Sequence, residues 1–297
     1  MSRVAIVGTG RMGSAMARAL ARDGGTELLL YNRTPARARP LADELGARVV
    51  ERLAEAAEAD VCLTMLADGP AVTDVWDGAG GLVESARAGS VLVDMSTVPP
   101  DTLRPFEQRV RAAGAGLLDA PVSGSTQLAE GGGLTIMAGG ETADLERARP
   151  VFDRLAKQVF HVGPLGAGSA MKLAVNAVIF ALNNAVSEAL VLAERAGIDR
   201  SLAYEVLARS AAGAPFVGYK RDAFVDPDGA PVGFSLELAR KDLDLIIAFG
   251  AELGVPVEQA AVNAELIGEA ARGVGGDRDF SAVATHLRAR AREGRAD

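Results

Sequence analysis

The stretch VAIVGTGRMGSAMARAL, residues 4–20, decides the fold of the first half of this 297-residue chain. A short aliphatic run leads into a G-x-G-x-x-G spacing, and the pattern of an amphipathic helix follows. The first glycine permits a tight turn, the second lets backbone approach a pyrophosphate, and the third lets the helix pack on the strand. The pattern predicts a dinucleotide site at the start of the helix, and the alternative is a tight turn without a ligand. The residues expected to contact the dinucleotide are Gly8, Thr9, Gly10, Arg11, Met12 and Gly13.

The end of the second predicted strand, LLLYNRTP at residues 28–35, indicates which dinucleotide is bound. A site specific for NAD usually places a carboxylate here to bind the ribose 2′-hydroxyl. This chain has Asn32, Arg33 and Thr34 instead, which can bind a 2′-phosphate by hydrogen bonds and a forked guanidinium contact, and Arg37 can assist. We therefore expect NADP(H) to be preferred and NAD(H) to remain possible. The alternative is that Arg33 is a solvated loop charge.

Short aliphatic runs alternate with helical patterns through the first half of the chain. The runs VAIVG, ELLLY, VCLTML, SVLVDMS and GLLDAPV read as buried strands, and helices are expected at 14–22, 35–45, 70–76 and 101–113. This alternation predicts an α/β fold with a doubly wound, mostly parallel Rossmann sheet. Further on the patterns are helical, at 169–195, 200–211, 235–253, 256–271 and 281–292. We expect an NADP-binding domain at 1–164 and an all-helical substrate and oligomerisation domain at 165–297, with a long interdomain helix first.

Composition and charge exclude several classes of protein. The net charge of −8 argues against a nucleic-acid binder that neutralises phosphates, and the chain has no polybasic stretch for anionic lipid. One cysteine and two histidines exclude a disulfide framework and indicate no metal site. The first strand begins at Arg3, so no signal peptide fits before it, and the longest uncharged stretch, 173–187, is too short to span a bilayer. We expect a cytoplasmic protein.

Lys172 stands out within GSAMKLAVNAVIFALNNAVSEA, residues 168–189, because no other charge occurs before Glu188. Asn176 follows four residues later on the same helix face. Reduction of a carbonyl needs a proton donor and a group that fixes the carbonyl oxygen. An ammonium beside an apolar wall loses hydration and gives up its proton more readily. Periodicity alone leaves two alternatives open, a reactive lysine and a surface charge at the end of the helix.

Several motifs together resemble the β-hydroxyacid dehydrogenase family, which includes 3-hydroxyisobutyrate dehydrogenase. They are VAIVGTGRMG at the start, DMST at 94–97, DAPVSGS at 119–125, GAGSAMKLAVN at 166–176 and ARKDLDL at 239–245. The resemblance covers nearly all of the chain. It implies an oxidoreductase with a first domain like that of 6-phosphogluconate dehydrogenase.

The resemblance also implies roles for individual residues. Lys172 matches the catalytic acid/base and Asn176 matches the residue that orients the substrate. The residues implied to bind the substrate, a small carboxylate, are Ser123, Gly124 and Ser125. The further residues implied to contact the cofactor are Met65, Leu66, Thr97 and Lys241. Phe234 could close over the substrate, or it could be an ordinary core residue.

Within the family, the chain is most similar to the glyoxylate and succinic semialdehyde reductase branch. That branch carries basic residues near Gln127, Glu237 and Leu238, which this chain lacks. We expect an NADPH-dependent reductase that interconverts a small aldehyde or keto acid and its hydroxy acid, and that forms a homodimer or homotetramer. The alternatives are an NAD-dependent 3-hydroxyisobutyrate-type dehydrogenase, an imine reductase and a non-catalytic dinucleotide-binding module. Lys172 argues against the imine reductase, which typically has aspartate or tyrosine there.

Overall fold

The computed structural model describes residues 2–22 and 24–293. The chain divides into two compact units, Met1–Lys172 and Leu173–Asp297. Each unit has its own hydrophobic core.

The first unit contains strands and helices in alternation. Its strands are β1 Ser2–Val7, β2 Thr26–Tyr31, β3 Arg48–Val49, β4 Val61–Thr64, β5 Val91–Asp94, β6 Gly116–Asp119, β7 Val122–Ser123, β8 Leu134–Gly140 and β9 Ala156–Gly163. Its helices are α1 Arg11–Ala21, α2 Arg39–Leu45, α3 Leu53–Ala57, α4 Gly69–Asp77, α5 Arg104–Ala112, α6 Thr126–Glu130 and α7 Thr142–Leu155, with a 3₁₀ turn at Pro35–Arg37.

The strands form one sheet in which β3, β2, β1, β4, β5 and β6 lie side by side and parallel. This order is that of a doubly wound dinucleotide-binding fold, so the predicted fold class is confirmed. Residues of β1 alternate between two cores, with Val4 and Ile6 on one face and Ala5 and Val7 on the other. Burial on both faces explains why the strand is continuously aliphatic.

The last part of the sheet departs from the predicted alternation of parallel strands and helices. Strand β8 runs antiparallel to β6 and β7, and β9 pairs with β8 in parallel. The sequence LTIMAGG of β8 was not predicted as a strand. Gly139 is required there, since a Cβ would lie 2.4 Å from Oδ1 of Asp119.

The second unit is helical, as predicted. Its helices are α8 Ala167–Arg195, which begins in the first unit, α9 Arg200–Arg209, α10 Pro215–Tyr219, α11 Arg221–Val225, α12 Leu236–Glu252, α13 Glu258–Val274 and α14 Val283–Glu293, with a 3₁₀ turn at Phe280–Ala282. The pattern did not predict α10 and α11, because five residues are too few to establish a helical period.

The end of α8 has an identifiable local cause. Gly197 takes a φ of 88° and donates its N–H to the Glu194 carbonyl at 3.1 Å, while Ile198 donates to the Ala193 carbonyl at 3.1 Å. These two bonds form a Schellman motif, which stops a helix and satisfies its last carbonyl groups. Asp199 then caps the first turn of α9 through its side chain.

By length and composition alone, α8 is apolar enough to cross a membrane, and 44% of its most apolar window is buried within the fold. Its inward side chains belong to the core of the second unit, including Leu173, Phe180 and Leu190. Asn183 and Asn184 are also buried on this helix and hydrogen-bond to other parts of the same unit. This packing accounts for the apolar side chains on the inward face of the helix.

Candidate active site

The glycine turn between β1 and α1 has two glycines that packing requires and one that it does not. A Cβ on Gly8, which has a φ of 105°, would lie 2.3 Å from the Met65 carbonyl oxygen, and one on Gly13 would lie 2.0 Å from the Gly8 carbonyl oxygen. A Cβ on Gly10 would meet no described atom within 4 Å. The intrahelical bonds of α1 begin with Ser14 N–H to Gly10 C=O at 2.8 Å. The turn thus leaves open space beside the N–H groups of the first helical turn, which fits a bound pyrophosphate.

The end of β2 is tied to this turn by an asparagine side chain. Asn32 donates from Nδ2 to Oγ1 of Thr9 at 2.8 Å, and its Oδ1 accepts the N–H of Thr34 at 3.0 Å. The Asn32 amide therefore fixes both loops. The side chains of Arg33 and Arg37 are exposed, so the cations predicted to bind a 2′-phosphate are accessible from solvent.

A buried carboxylate holds together the loops that follow β4 and β5. Oδ1 of Asp94 accepts hydrogen bonds from Oγ1 of Thr64 at 2.6 Å and from Oγ of Ser96 at 2.7 Å. The Ser96 hydroxyl in turn accepts the N–H of Leu66 at 2.9 Å, and Nε1 of Trp76 donates to Oγ1 of Thr64 at 3.3 Å. Two hydroxyl groups thus donate to one carboxylate oxygen, and each of them accepts a further N–H. The network positions Leu66 on one loop and Ser96, next to Thr97, on the other.

Burial raises the pKa of Asp94 to about 6, although the hydroxyl groups of Thr64 and Ser96 oppose this rise. The neighbouring strand adds a like charge, because Asp94 on β5 is in register with Asp119 on β6. Within the described residues, Oδ2 of Asp94 is buried and has no hydrogen-bond partner. The ionised carboxylate is thus held at a cost in desolvation.

Asp119 anchors the start of α8 to the end of β6. Its Oδ1 accepts the N–H of Gly166 at 2.8 Å and its Oδ2 accepts the N–H of Ser169 at 2.6 Å. Burial raises the pKa of Asp119, and these backbone donors oppose the rise. A Cβ on Gly168 would lie 2.4 Å from the Met137 carbonyl oxygen, so this glycine allows backbone to come close. Because Lys172 lies near the start of α8, Asp119 also fixes the position of the predicted acid/base.

The segment predicted to bind the substrate carboxylate follows directly on β6. Ser123 lies on β7, and Gly124 has a φ of 138° that favours glycine. The hydroxyl of Ser125 accepts the N–H of Leu128 at 3.2 Å and so caps α6. The three residues form a half-buried turn whose hydroxyl groups lie beside a glycine.

In the second unit, a buried carboxylate orients the predicted substrate asparagine. Asn176 is 6% exposed and donates from Nδ2 to Oδ2 of Asp242 at 2.8 Å. Oδ1 of Asp242 pairs with Nζ of Lys241 at 2.8 Å. A carboxylate only accepts hydrogen bonds, so the Asn176 amide must present its NH₂ to Asp242 and keep its carbonyl oxygen for another donor. Lys172 lies one turn earlier on α8, is half-buried and has polar interactions of its own.

Phe234 lies in the segment before α12 and packs on an aromatic cluster. Its ring stacks on Phe180 with centroids 6.2 Å apart and meets Phe280 edge-on at 5.6 Å. Phe180 follows Asn176 by four residues on α8, so Phe234 lies toward the helix face that carries Asn176. Phe234 is half-buried.

The predicted residues therefore fall into two groups. The first unit contains the turn at 8–13, residues 32–34, 65–66 and 97, the turn at 123–125 and Lys172. The second unit contains Asn176, Phe234 and Lys241. Sequence reasoning did not single out Asp94 or Asp119 as site residues. The available signal was an aspartate at the end of an otherwise apolar strand, in VLVD and GLLD.

Across 2–22 and 24–293, no three His, Cys, Asp or Glu side chains lie close enough together to hold a metal ion.

Two family descriptions match the chain, one for each half. The NAD binding domain of 6-phosphogluconate dehydrogenase matches residues 3–163. The NAD-binding domain of NADP-dependent 3-hydroxyisobutyrate dehydrogenase matches residues 166–287.

Individual relatives agree with these matches over nearly their full length. Glyoxylate/succinic semialdehyde reductase 1 of Arabidopsis thaliana is 35% identical over 94% of this chain and 96% of its own. The 2-hydroxy-3-oxopropionate reductase of Escherichia coli strain K12 is 35% identical over 96% of this chain and 97% of its own. The solved structure of Mycobacterium tuberculosis 3-hydroxyisobutyrate dehydrogenase with L-serine has a TM-score of 0.82 and 31% identity, and the match covers 97% of this chain and 99% of that one.

Proposed function

The chain belongs to the β-hydroxyacid dehydrogenase family of oxidoreductases, and on that premise we propose that it is an NADPH-dependent reductase of a small aldehyde or keto acid. The observation that carries this proposal is the arrangement on α8. A lysine lies one turn before a buried asparagine whose amide Asp242 orients. A proton donor and a carbonyl-orienting amide on one helix face are what carbonyl reduction requires.

In the proposed reaction, the ammonium of Lys172 donates a proton to the oxygen of the substrate carbonyl as that oxygen gains negative charge. The same group accepts the proton back when a hydroxy acid is oxidised. Asn176 keeps the oxygen next to Lys172 through the amide N–H that Asp242 does not use. Asp119 holds the start of α8, so the donor is positioned before the substrate arrives.

The substrate carboxylate would be bound by Ser123, Gly124 and Ser125. A turn with a glycine and two hydroxyl groups offers donors to an anion without a bulky side chain in the way. At the positions where the reductase branch carries basic residues, this chain has Gln127, Glu237 and Leu238, and none of them is a cation. We therefore propose a substrate with one carboxylate, of the size of the aldehyde acids named for the plant and bacterial reductases.

The cofactor would lie against the glycine turn, where the space beside Gly10 fits a pyrophosphate. When bound, a reduced nicotinamide supplies the hydride. Arg33 supports a preference for NADPH, because its exposed guanidinium can pair with a 2′-phosphate and no carboxylate ends β2. Met65, Leu66, Thr97 and Lys241 would make the other contacts. We propose 1–164 as the nucleotide-binding domain and 165–297 as the substrate and oligomerisation domain.

A panel of small carbonyl acids, assayed with NADPH and NADH by absorbance, tests this proposal. Lys172→Ala should lower kcat by about 10²–10⁴-fold while NADPH still binds, since proton transfer is typically worth that much. Turnover at the wild-type rate would remove Lys172 from the mechanism.

Arg33→Ala should weaken the binding of NADPH much more than that of NADH, and equal effects would favour the NAD-dependent dehydrogenase. Cyclic imines in the same panel test the imine reductase.

The outer face of α8 supports a homodimer or homotetramer. Met171, Val178 and Leu192 are 42%, 60% and 74% exposed, and Ala174 and Ala185 lie between them at helical spacing. A long apolar stripe of this kind is typical of a helix that packs against another copy. Light scattering should give a mass of two or four chains, and Val178→Lys should reduce that mass.

We propose the cytoplasm as the compartment, because the lone, buried Cys62 needs no oxidising environment.

A further inference from the structure

Lys220 and Asp279 form a buried ion pair in the second unit. They are 8% and 7% exposed, and Nζ of Lys220 lies 2.8 Å from Oδ1 and 2.7 Å from Oδ2 of Asp279. Burial opposes ionisation of Asp279, but the facing ammonium holds the pKa of that carboxyl below its usual range. A buried pair of this kind is weak evidence for stability, because desolvation offsets the attraction. Its neighbours indicate another role.

The carboxylate of Asp279 holds the backbone on both sides of it. Its Oδ2 accepts the N–H groups of Gly233 at 2.9 Å and Phe234 at 3.2 Å, and its Oδ1 accepts the N–H of Ser281 at 3.1 Å. A Cβ built on Gly233 would lie 3.5 Å from Nζ of Lys220, so this backbone lies beside the ammonium as well. The pair therefore sits directly against the backbone of Phe234.

Backbone pairing continues this attachment along the chain. Phe280 donates its N–H to the Phe234 carbonyl at 2.9 Å, and Leu236 donates to the Arg278 carbonyl at 2.9 Å. Between them, Ser235 and Asp279 form an antiparallel bridge. The segment before α12 is thus tied to the segment before α14, and Asp279 lies at the centre of the join.

The ammonium of Lys220 also reaches the ring on which Phe234 packs. Nζ lies 4.5 Å from the centroid of the Phe280 ring, within the range of a cation–π contact. Phe280 meets the Phe234 ring edge-on. One cation therefore contacts both the carboxylate that holds the Phe234 backbone and the ring that supports its side chain.

From this geometry we propose that Lys220 and Asp279 are positioning residues that fix Phe234 as a wall of the substrate site and thereby set which carbonyl acids are accepted. The inference rests on the proposed function, since it needs Phe234 to face the substrate. It assigns to the pair no contact with substrate or cofactor. The pair acts only through the position of one aromatic ring.

The variant Lys220→Met tests the inference by steady-state kinetics. We expect the KM for the best carbonyl acid to rise by about tenfold or more, the scale on which an apolar pocket discriminates, while the KM for NADPH stays within about twofold. Phe234→Ala should give a similar rise. In the Phe234→Ala background, Lys220→Met should add less than about twofold, because both changes act through one ring. A full further rise in that background would overturn the inference.

A second ion pair provides the matched control. Arg288 and Glu194 are 2.6 Å apart in the same unit, with side chains 12% and 18% exposed, and they lie outside the 233–235 and 279–281 segments. Arg288→Met should therefore leave the KM of the carbonyl acid unchanged even if it lowers the melting temperature. If it raised that KM as much as Lys220→Met does, the effect would be a general loss of stability and the inference would be wrong.

If Lys220→Met does not fold because a carboxylate is left buried alone, the neutral pair Lys220→Met with Asp279→Asn replaces it. That double variant is expected to show the same rise in KM, and a wild-type KM in it overturns the inference. The proposed function fails separately, through a wild-type protein that reduces no carbonyl acid. If the wild type is active and Phe234→Ala behaves like it, Phe234 is not a wall of the site and the positioning role of the pair is lost.

Discussion

Replacement of Asp94 by asparagine should make the protein's stability less dependent on pH. In the folded protein, burial raises the pKa of this carboxyl from its usual 3.8 to about 6. A raised folded-state pKa means that the group favours folding fully below pH about 4, and that this contribution is lost as the pH rises through about 6. Two pKa units correspond to about 3 kcal/mol of unfolding free energy at pH 7. An asparagine has no charge to bury and does not lose this amount.

The asparagine side chain also preserves the local geometry. Its carbonyl oxygen can replace Oδ1 and accept both hydroxyl groups, and its NH₂ would take the place of Oδ2, which has no hydrogen-bond partner among the described residues. The unpaired NH₂ adds a penalty that is the same at every pH. The informative quantity is therefore the change with pH in the stability difference between variant and wild type. Between pH 4.5 and 7 it should move by about 2 kcal/mol in favour of the variant.

Urea unfolding at several pH values measures this difference. Trp76 is the only tryptophan, is fully buried, and bonds to Thr64 in the same network, so its fluorescence reports on the first unit. The surface variant Asp153→Asn, at a side chain 58% exposed, controls for the loss of one carboxylate. A stability difference for Asp94→Asn that stays constant within about 0.5 kcal/mol over this pH range would refute the reasoning.

Three further predictions follow from packing. Gly10→Ala should fold with an unchanged melting temperature but bind NADPH at least about tenfold more weakly by fluorescence titration. Gly13→Ala should instead lower the melting temperature of the first unit, because its Cβ would lie 2.0 Å from a carbonyl oxygen. Equal melting temperatures for the two variants would contradict this prediction. Burial raises the pKa of the Cys62 thiol to about 12, so a thiol reagent should label it only after denaturation, and rapid labelling of native protein would show that the strand opens. Asp199→Ala should lower the unfolding free energy by about 1 kcal/mol in urea, since it removes the cap of α9, and no change would mean that the cap is frayed in solution.

Local patterns predicted those parts of the fold that are decided locally. The glycine spacing at 8–13 and the aliphatic run before it were sufficient for the first strand, turn and helix. The end of α8 at Gly197 and the start of α9 at Asp199 depend on hydrogen bonds between residues within six positions of each other. Strand β8 was missed because its pairing is antiparallel and depends on partners that the alternating pattern does not reveal.

The parts of the candidate site that sequence did not reveal depend on distant partners. Asp119 bonds to an amide 47 residues away, and Lys220 pairs with a carboxylate 59 residues away. Asn32 stays a predicted phosphate ligand, and the sequence did not reveal that its amide also bonds to Thr9 and Thr34. A motif identifies the residue types at a turn, but the hydrogen-bond partner of each polar atom is fixed only by the tertiary fold.

The sheet ends at β3 on one side and at β9 on the other, and neither edge strand is suited to pair with a strand of another chain. Strand β3 has two residues, while the pairing of β9 with β8 is interrupted by two register shifts and begins beside the exposed Lys157. Irregular, short or charged margins discourage sheet-to-sheet aggregation. Concentrated preparations should accordingly remain clear on storage, and partially unfolded chains, rather than native ones, should be the source of any fibrous precipitate.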